Sequence, residues 1–404
     1  MAGSLESEGI TVGVLMKTTI ISILCSILFF TVALAFSAQY EASFTYPKLV
    51  YLYSCTLALV ISWLYYRWKG DIRPIPRNVL YSALAFALWL LLSTTFAIHV
   101  PTAVFGFYGR WQGLLTHLVY IGLFLMAVSL PLNTRKVLKS FVLAMLLVAI
   151  VAITQRLNFI NSPILGARSF STIGNAIPMA ACLSLAVPFC IYFTVRGKWR
   201  VLWGLVTVIL LVGVVVSYSR GPELGLLAAL SIVIMFTARG KAIFKFAAIA
   251  ALIVLMVHFN TRNNLKHIAT DSGYTDRCEY AQAALGMIRD FPVFGVGLDC
   301  YRLVYVRYQT DVSKKIEPTT KAHNGYVQYA ATTGIPGLLY YLILVVCVLR
   351  SIRTDDPLLR IAFIAAIAGY LVQDFAGWEE VSLTAFFWCI IGLAIRENHS
   401  SPSS

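Results

Sequence analysis

Residues 175–195 read NAIPMAACLSLAVPFCIYFTV, a run of 21 residues without a charged side chain. The hydrocarbon core of a bilayer is about 30 Å thick, and about 20 helical residues cross it at roughly 1.5 Å each. The run is therefore long and apolar enough to be a transmembrane helix. The whole chain agrees, because 59% of its 404 residues are hydrophobic and only 12% are charged. Soluble domains carry about 25% charged residues, so this composition excludes an ordinary soluble enzyme.

Similar apolar runs recur from Thr18 to Ile395 and predict a single membrane domain, 1–404. A window of about 20 residues gives about twelve candidate spans. They lie near 18–37, 46–66, 78–98, 114–131, 140–154, 175–195, 201–218, 223–237, 246–259, 335–349, 360–374 and 381–395. The first span could instead be a signal peptide with a small-x-small cleavage pattern at Ala33–Ala35, but it exceeds the usual length of about 7–15 residues. The sequence thus predicts an all-α polytopic membrane protein.

The net charge of +14 raises the question whether Lys and Arg form a nucleic-acid groove or mark membrane topology. Eighteen of the 32 basic residues lie in alternate loops or beside the terminal spans. Basic residues in alternate loops are typical of membrane topology and do not form a groove, so nucleic acid is not an expected partner. By the positive-inside rule, these loops and both termini are cytoplasmic. The external short loops hold only Lys48, Arg110, Arg156, Arg168 and Arg220.

The segment 260–334, between the ninth and tenth spans, is the one long stretch outside the predicted membrane helices. It contains nine Lys or Arg and seven Asp or Glu in 75 residues, so we expect a folded, water-facing external loop. Cys278 and Cys300 both lie in this loop, where an oxidising compartment would permit a disulfide. The sequence gives no measure of their separation, so the pairing stays open.

Two helices are predicted within this external loop. The first is capped by Thr275 or Asp276 and runs to about Arg289, since apolar residues recur there at helical spacing and a proline follows shortly. The second begins near His323 and ends at Gly334, a residue type that commonly caps helix C-termini. This second helix leads directly into the tenth span.

Arg220 occupies a turn that joins two predicted spans within 201–237. Two crossings of about 20 residues each use that whole segment, so the turn cannot stand far out in water. Arg220 therefore lies at or just below the external interface, where a buried cation is costly. Phosphate would stabilise it, because the guanidinium fork matches phosphate oxygens. Alternatively, Arg220 extends to lipid headgroups or pairs with Glu223.

Arg277 and His323 are the other candidate site residues. Arg277 falls in the first turn of a predicted helix, where a cation opposes the helix dipole, and is either an anion ligand or a solvated surface residue. His323 lies at a helix N-terminus, which keeps the ring neutral, as a general base requires. A packed or solvated histidine is the alternative. The sequence contains no zinc-spaced histidine pair and no phosphate-binding glycine loop, so neither a metal nor a cofactor is predicted.

Six short motifs are distributed along the chain. They are 104–113 (VFGFYGRWQG), 217–222 (SYSRGP), 274–277 (YTDR), 283–297 (AALGMIRDFPVFGVG), 322–328 (AHNGYVQ) and 333–337 (TGIPG). Together with about twelve spans and one late external loop, they resemble the O-antigen ligase and polymerase superfamily. The resemblance covers nearly the whole chain.

This resemblance implies an inverting, metal-independent glycosyltransferase with a GT-C-like helical membrane fold. Such enzymes move a glycan from undecaprenyl diphosphate to an acceptor hydroxyl at the periplasmic face of the bacterial inner membrane. By motif position, Arg220 and Arg277 match the family arginines that hold the diphosphate, and His323 matches the histidine that activates the acceptor. The implied partners are the lipid-linked donor, the acceptor and membrane lipids.

Three interpretations differ in the acceptor that receives the glycan. It is lipid A-core oligosaccharide for a ligase, the growing glycan for a polymerase, and a protein hydroxyl for a protein O-oligosaccharyltransferase. We favour the ligase because the external loop is compact and no soluble domain follows the last span. Arg110, Arg168 and Asn324 are predicted secondary substrate contacts, and the two arginines could equally be interface residues. Other classes remain: a transporter of a lipid-linked sugar, or a non-catalytic subunit that tolerates loss of His323.

Overall fold

The computed structural model describes residues 2–37, 43–159, 168–237, 272–309, 319–352 and 354–396, with the backbone alone for 2–17 and 272–275. All regular secondary structure in these residues is helical, as predicted. The helices are α1 (Ala2–Leu34), α2 (Thr45–Trp68), α3 (Arg77–Thr95), α4 (Val100–Phe105), α5 (Leu114–Ser129), α6 (Thr134–Arg156), α7 (Ala176–Arg196), α8 (Arg200–Val215), α9 (Arg220–Thr237), α10 (Ser272–Asp290), α11 (Tyr301–Tyr308), α12 (Gly325–Ser351), α13 (Pro357–Gln373) and α14 (Val381–Arg396), with one 3-10 turn at Ser171–Ile173.

Within the described residues, six helices are long and apolar enough to cross a membrane: α2, α3, α6, α7, α9 and α12. Five shorter apolar helices coincide with further predicted spans: Thr18–Leu34 within α1, and α5, α8, α13 and α14. The predicted span 246–259 lies outside the described residues. The total of twelve therefore stays a prediction, whereas the all-helical fold is confirmed and its long apolar helices are consistent with a membrane protein.

The centre of the bundle is formed by α14, in which every residue is buried. It packs against α5 and α7, and α7 is itself almost entirely enclosed. Helices that are apolar all round occupy such buried positions. By contrast, α2 exposes large apolar side chains such as Leu57 and Leu64 on its outer surface, as expected of a helix that faces lipid.

The loops assigned to the cytoplasm by the positive-inside rule meet on one face of the bundle. The Arg73 backbone N–H donates to the Ser129 carbonyl at 2.9 Å, and its guanidinium donates to the Arg396 carbonyl at 3.1 Å. On the same face, Arg135 lies 3.5 Å from Asp356. These contacts join several of the basic loops within the described residues, and the assignment of the loops to the cytoplasm stays a prediction.

Lys48 departs from its predicted place in an external short loop. It lies inside α2 and is fully buried, with its ammonium donating to the Ile173 carbonyl at 2.8 Å. Glu380 lies 4.0 Å away. The connection before α7 covers this end of α2, which the hydropathy pattern does not reveal, and the buried ammonium is stabilised by its partners.

The segment predicted to be an external loop has a different first helix boundary from the predicted one. Helix α10 starts at Ser272, so Thr275 and Asp276 lie inside the helix and neither caps it, since a capping residue needs non-helical backbone angles. Cys278 is exposed and Cys300 is buried, and both are free thiols. The additional helix α11 was not predicted. It packs with α10 over a small core of its own.

Helix α12 changes direction at Gly334, the residue at which the short loop helix was predicted to end. Its φ of 76° and ψ of 168° are non-helical, and the helix resumes at once toward Ser351. The carbonyl of Val293 lies directly against Gly334, leaving no room for a side chain. The kink separates the part of α12 that carries the loop motif from the part that crosses the predicted membrane.

Replacing Gly334 by alanine is expected to destabilise the protein by more than about 1–2 kcal/mol, the cost of left-handed backbone for an L-residue, because the new methyl group also overlaps the Val293 carbonyl. Thermal unfolding in detergent should show a lower midpoint. Gly122→Ala is the matched control, since its methyl group would meet nothing closer than 4.0 Å. Equal midpoints for the two variants would contradict the assignment of strain to this kink.

Candidate active site

His323 is positioned by the residues on either side of it in the turn before α12. Its own φ is 55°, in the left-handed region. Asn324 caps α12, with its side-chain oxygen accepting from the Val327 N–H at 3.1 Å. The amide oxygen of Gln328 accepts from the Ala322 N–H at 2.7 Å. Asn324, predicted as a secondary substrate contact, thus serves as a helix cap that orients His323.

The imidazole of His323 lies between two aromatic rings from different parts of the chain. Tyr280 of α10 stacks on it with ring centroids 5.2 Å apart and an interplanar angle of 23°. Trp378, before α14, meets it edge-on at 4.7 Å. The Nδ1 atom is enclosed without a hydrogen bond to any described residue. The packing therefore fixes the ring plane and leaves Nε2 as the accessible nitrogen.

Three cations surround this ring. Burial first, and then the charges of Lys321, Arg277 and Arg110, lower the pKa of His323 from 6.5 to about 3. The ring is consequently neutral at physiological pH, in agreement with the neutral state expected from the sequence. The cause differs in part, because burial and neighbouring cations act here, whereas the sequence suggested the helix terminus alone.

Arg277 reaches the site through its position on α10. It precedes Tyr280 by three residues, so both lie on the same face of the helix, toward His323. The Arg277 side chain is exposed and makes no hydrogen bond or ion pair with the described residues. Its guanidinium is thus available to a ligand beside the imidazole.

The turn before α9 presents Arg220 at the surface of the same region. Arg168 supports this turn, donating to the carbonyls of Ser217 at 3.1 Å and Tyr218 at 2.7 Å and to the Ser219 hydroxyl at 3.0 Å. Arg220 itself is exposed and is not ion-paired to any residue of the described ranges. Arg168, predicted as a secondary substrate contact, therefore acts on the backbone of the arginine turn.

The connection 374–380 joins the two halves of the site. On one side, Ala376 packs against Gly221, with its Cβ 3.1 Å from the position a side-chain carbon would take there. On the other side, the Asp374 carbonyl accepts from the Gly325 N–H at 2.8 Å. The turn of Arg220 and the turn of His323 thus both contact one short segment. Arg277 thus lies near His323, whereas Arg220 is linked to them only through this shared segment, and the roles of the three residues stay predictions.

Arg110 is committed to a buried network beneath the site. Its guanidinium lies 3.1 Å from the Asp299 carboxylate and donates to the Thr320 carbonyl at 2.6 Å. The Asp299 carboxylate also accepts from the backbone N–H groups of Phe107 at 2.7 Å and Gln112 at 3.0 Å. Arg110 therefore connects segment 104–113 to the external loop and contributes charge rather than a free guanidinium.

A second buried pair lies next to this network. His117 of α5 is 3.4 Å from the Glu379 carboxylate, which also accepts a hydrogen bond from the Tyr329 hydroxyl. In the described parts of the chain, no group of three or more His, Cys, Asp and Glu is arranged to hold a metal ion. Independence from metal remains a prediction.

Comparison with known proteins extends the motif argument. The family model described as O-Antigen ligase matches residues 205–342, about a third of the 404-residue chain. That segment contains Arg220, Arg277 and His323. No curated protein matches the chain. Residues 205–342 are therefore similar to the O-antigen ligase family, in agreement with the resemblance that the motifs carry.

Proposed function

We propose that the protein transfers a glycan from undecaprenyl diphosphate to a hydroxyl of lipid A-core oligosaccharide, with inversion at the anomeric carbon and without a metal. The reaction would occur at the periplasmic face of the bacterial inner membrane, within a GT-C-like helical fold. The observation that carries the proposal is a neutral histidine, His323, held beside Arg277 and across connection 374–380 from Arg220. The family match supports glycan transfer by a ligase or a polymerase.

The proposed chemistry assigns one task to each group. His323 Nε2 takes the proton of the acceptor hydroxyl as its oxygen bonds to the anomeric carbon. The bond from that carbon to the phosphate oxygen breaks, and undecaprenyl diphosphate leaves with the electron pair. Arg220 and Arg277 stabilise the negative charge that develops on the diphosphate as this bond breaks. The imidazolium then returns its proton to solvent or to the departing diphosphate.

The pH dependence should report the surroundings of His323. Because burial and nearby cations lower its pKa to about 3, acidification from about pH 8 to pH 5 leaves the free enzyme's base unprotonated. We therefore expect kcat/KM, which reports the free enzyme, to show no acid limb near 6.5. Bound diphosphate neutralises the cations and raises the pKa, so kcat should decline at a higher pH than kcat/KM. An acid limb of kcat/KM at 6.5, with donor ionisation measured separately, would contradict this environment.

Arg168 should act on donor binding through the turn that it holds. Replacing Arg168 by glutamine removes three donated hydrogen bonds and frees the backbone before Arg220. We expect the KM for the donor to rise by about tenfold, or about 1.4 kcal/mol. The KM for the acceptor should be unchanged. An equal change in the KM for the donor and the KM for the acceptor would contradict a role of Arg168 in donor binding.

Reconstituted transfer tests the proposed function directly. The assay combines purified protein, undecaprenyl-diphosphate-linked glycan and, in separate reactions, lipid A-core, unlinked glycan and protein acceptors, with and without a chelator. Transfer to lipid A-core that survives chelation supports the ligase. Transfer only to glycan identifies a polymerase, and transfer only to protein identifies a protein O-oligosaccharyltransferase. Movement of the lipid-linked glycan across the vesicle membrane without transfer to an acceptor would favour the transporter. Transfer that persists in a variant without His323 would exclude His323 as the base.

A further inference from the structure

A cavity of about 580 Å³ opens beside Trp378, the ring that also contacts His323. Its size is within the range of about 300–1,000 Å³ that is usual for small-molecule sites. Aromatic side chains, carboxylates and cations line it together, among them Phe44, Tyr108, Lys321 and Glu380. Aromatic faces pack against the C–H faces of sugars, and carboxylates accept from hydroxyls, so this lining suits a carbohydrate.

The position of the cavity relative to the proposed donor site indicates which sugar it would hold. Tyr280 stacks on His323 and the charge of Arg277 acts on the ring, whereas Trp378 meets the ring edge-on and lines the cavity. A general base must reach the hydroxyl of the acceptor. If the arginines hold the donor diphosphate, the acceptor belongs on the Trp378 side.

Most charges that line the cavity are compensated by the protein. Glu379 is paired with His117 and Tyr329, and Arg110 is paired with Asp299. One oxygen of Glu380 accepts from the Ser382 N–H at 2.9 Å, and the other lies 4.0 Å from Lys48. These groups hold the site together and need no ligand charge.

Lys321 differs from the other charged residues of the cavity. Its ammonium lies 4.1 Å from the centre of the Trp378 ring and has no hydrogen bond or ion pair within the described ranges. Burial first, and then the charge of Arg110, lower its pKa well below 10.5, while the charges of Glu380 and Asp299 act in the opposite direction. An anionic group in the cavity would supply the missing charge.

We propose that this cavity binds the acceptor glycan beside Trp378, and that Lys321 selects an acceptor whose sugar carries an acidic group, phosphate or carboxylate, near the reacting hydroxyl. The inference rests on the proposed glycosyl transfer and adds the chemical class of the acceptor. Lys321 is a specificity-determining residue in this scheme and takes no part in the proton transfer.

The test compares acceptors that differ only in charge. One pair is a phosphorylated core oligosaccharide before and after phosphatase treatment, and the other is a uronic-acid-containing core oligosaccharide before and after carboxyl reduction. Binding and transfer are measured separately for the wild type, Lys321→Gln and Lys321→Arg. Lys69→Gln is the matched control, because Lys69 also lies over a tryptophan, Trp68, at 4.5 Å but at the far end of α2.

We expect the wild type to bind the acidic member of at least one pair about tenfold more tightly, and that pair identifies the acid. Lys321→Gln should abolish this preference without changing the KM for the donor, whereas Lys321→Arg and Lys69→Gln retain it. Equal binding of charged and uncharged acceptors by the wild type would overturn the inference. So would displacement of the acidic acceptor by phosphatidylglycerol in a Lys321-dependent manner, which identifies a lipid-headgroup site. Charge-selective binding without any transfer would instead refute the proposed function and leave the acidic-sugar site standing.

Discussion

Replacing His323 by glutamine is expected to lower kcat for glycosyl transfer by about 10²–10⁴-fold, the usual contribution of a general base. Glutamine keeps a neutral polar side chain between Tyr280 and Trp378 but cannot take a proton from the acceptor at neutral pH. Because the ring is packed on both sides, the substitution should leave the donor and acceptor KM values near those of the wild type. Steady-state kinetics with lipid-linked donor and lipid A-core measure both parameters.

Imidazole rescue distinguishes loss of the base from loss of structure. In His323→Ala, the space between Tyr280 and Trp378 would accommodate free imidazole, which should restore part of the rate in proportion to its neutral fraction. The thermal unfolding midpoint of each variant serves as the folding control. A glutamine variant within threefold of the wild-type kcat would mean that another group, or water, accepts the proton.

Replacing Arg220 by alanine is expected to lower kcat by about 10²–10³-fold, the usual cost of removing one group that stabilises charge in the transition state. The guanidinium is exposed at the turn and is held in place by the backbone that Arg168 supports. Arg220→Lys should recover only part of the rate, because an ammonium cannot engage phosphate oxygens through two parallel hydrogen bonds. Stopped assays at saturating donor separate this effect from weaker binding.

Arg67→Ala supplies the matched control for Arg220. Arg67 is also an exposed arginine, but it lies near the C-terminal end of α2. The N-terminal end of α2 lines the cavity and is roughly 33 Å away, at about 1.5 Å per residue. If Arg220 only contacts lipid headgroups, the two alanine variants should behave alike. If Arg220 and Arg277 hold one diphosphate, the double variant should lose less than the product of the single losses, since residues that share a ligand are not additive.

Sequence alone could predict those parts of the fold that depend on neighbouring residues in the chain. Apolar runs of membrane length gave the helices, and Gly334 gave the break in α12 because few other residues adopt its backbone angles. Long-range packing was less accessible. Lys48 was placed in a loop because its partners, the Ile173 carbonyl and Glu380, come from distant segments. The amphipathic pattern of Tyr301–Tyr308 was too short to stand out.

The candidate site was predicted unevenly for the same reason. Arg220, Arg277 and His323 stand out because each is a charged or titratable residue at a helix terminus or tight turn. Trp378 and Tyr280 carry no such mark, and their role arises only when α10 and connection 374–380 meet around the imidazole. Lys321 could have been suspected from its position two residues before His323. Its place in the cavity, over the Trp378 ring, required the structure.

The completely buried helix α14 has a consequence for biosynthesis. It is translated after α5 and α7, the helices that enclose it, so the bundle must stay open at its centre until α14 leaves the ribosome and inserts. Connection 374–380 precedes α14 directly and anchors both turns of the site. A nascent chain thus lacks the surface on which Trp378 and His323 meet. The protein would be unable to bind its lipid-linked substrate productively before membrane insertion is complete, so interrupted synthesis would yield inert chains.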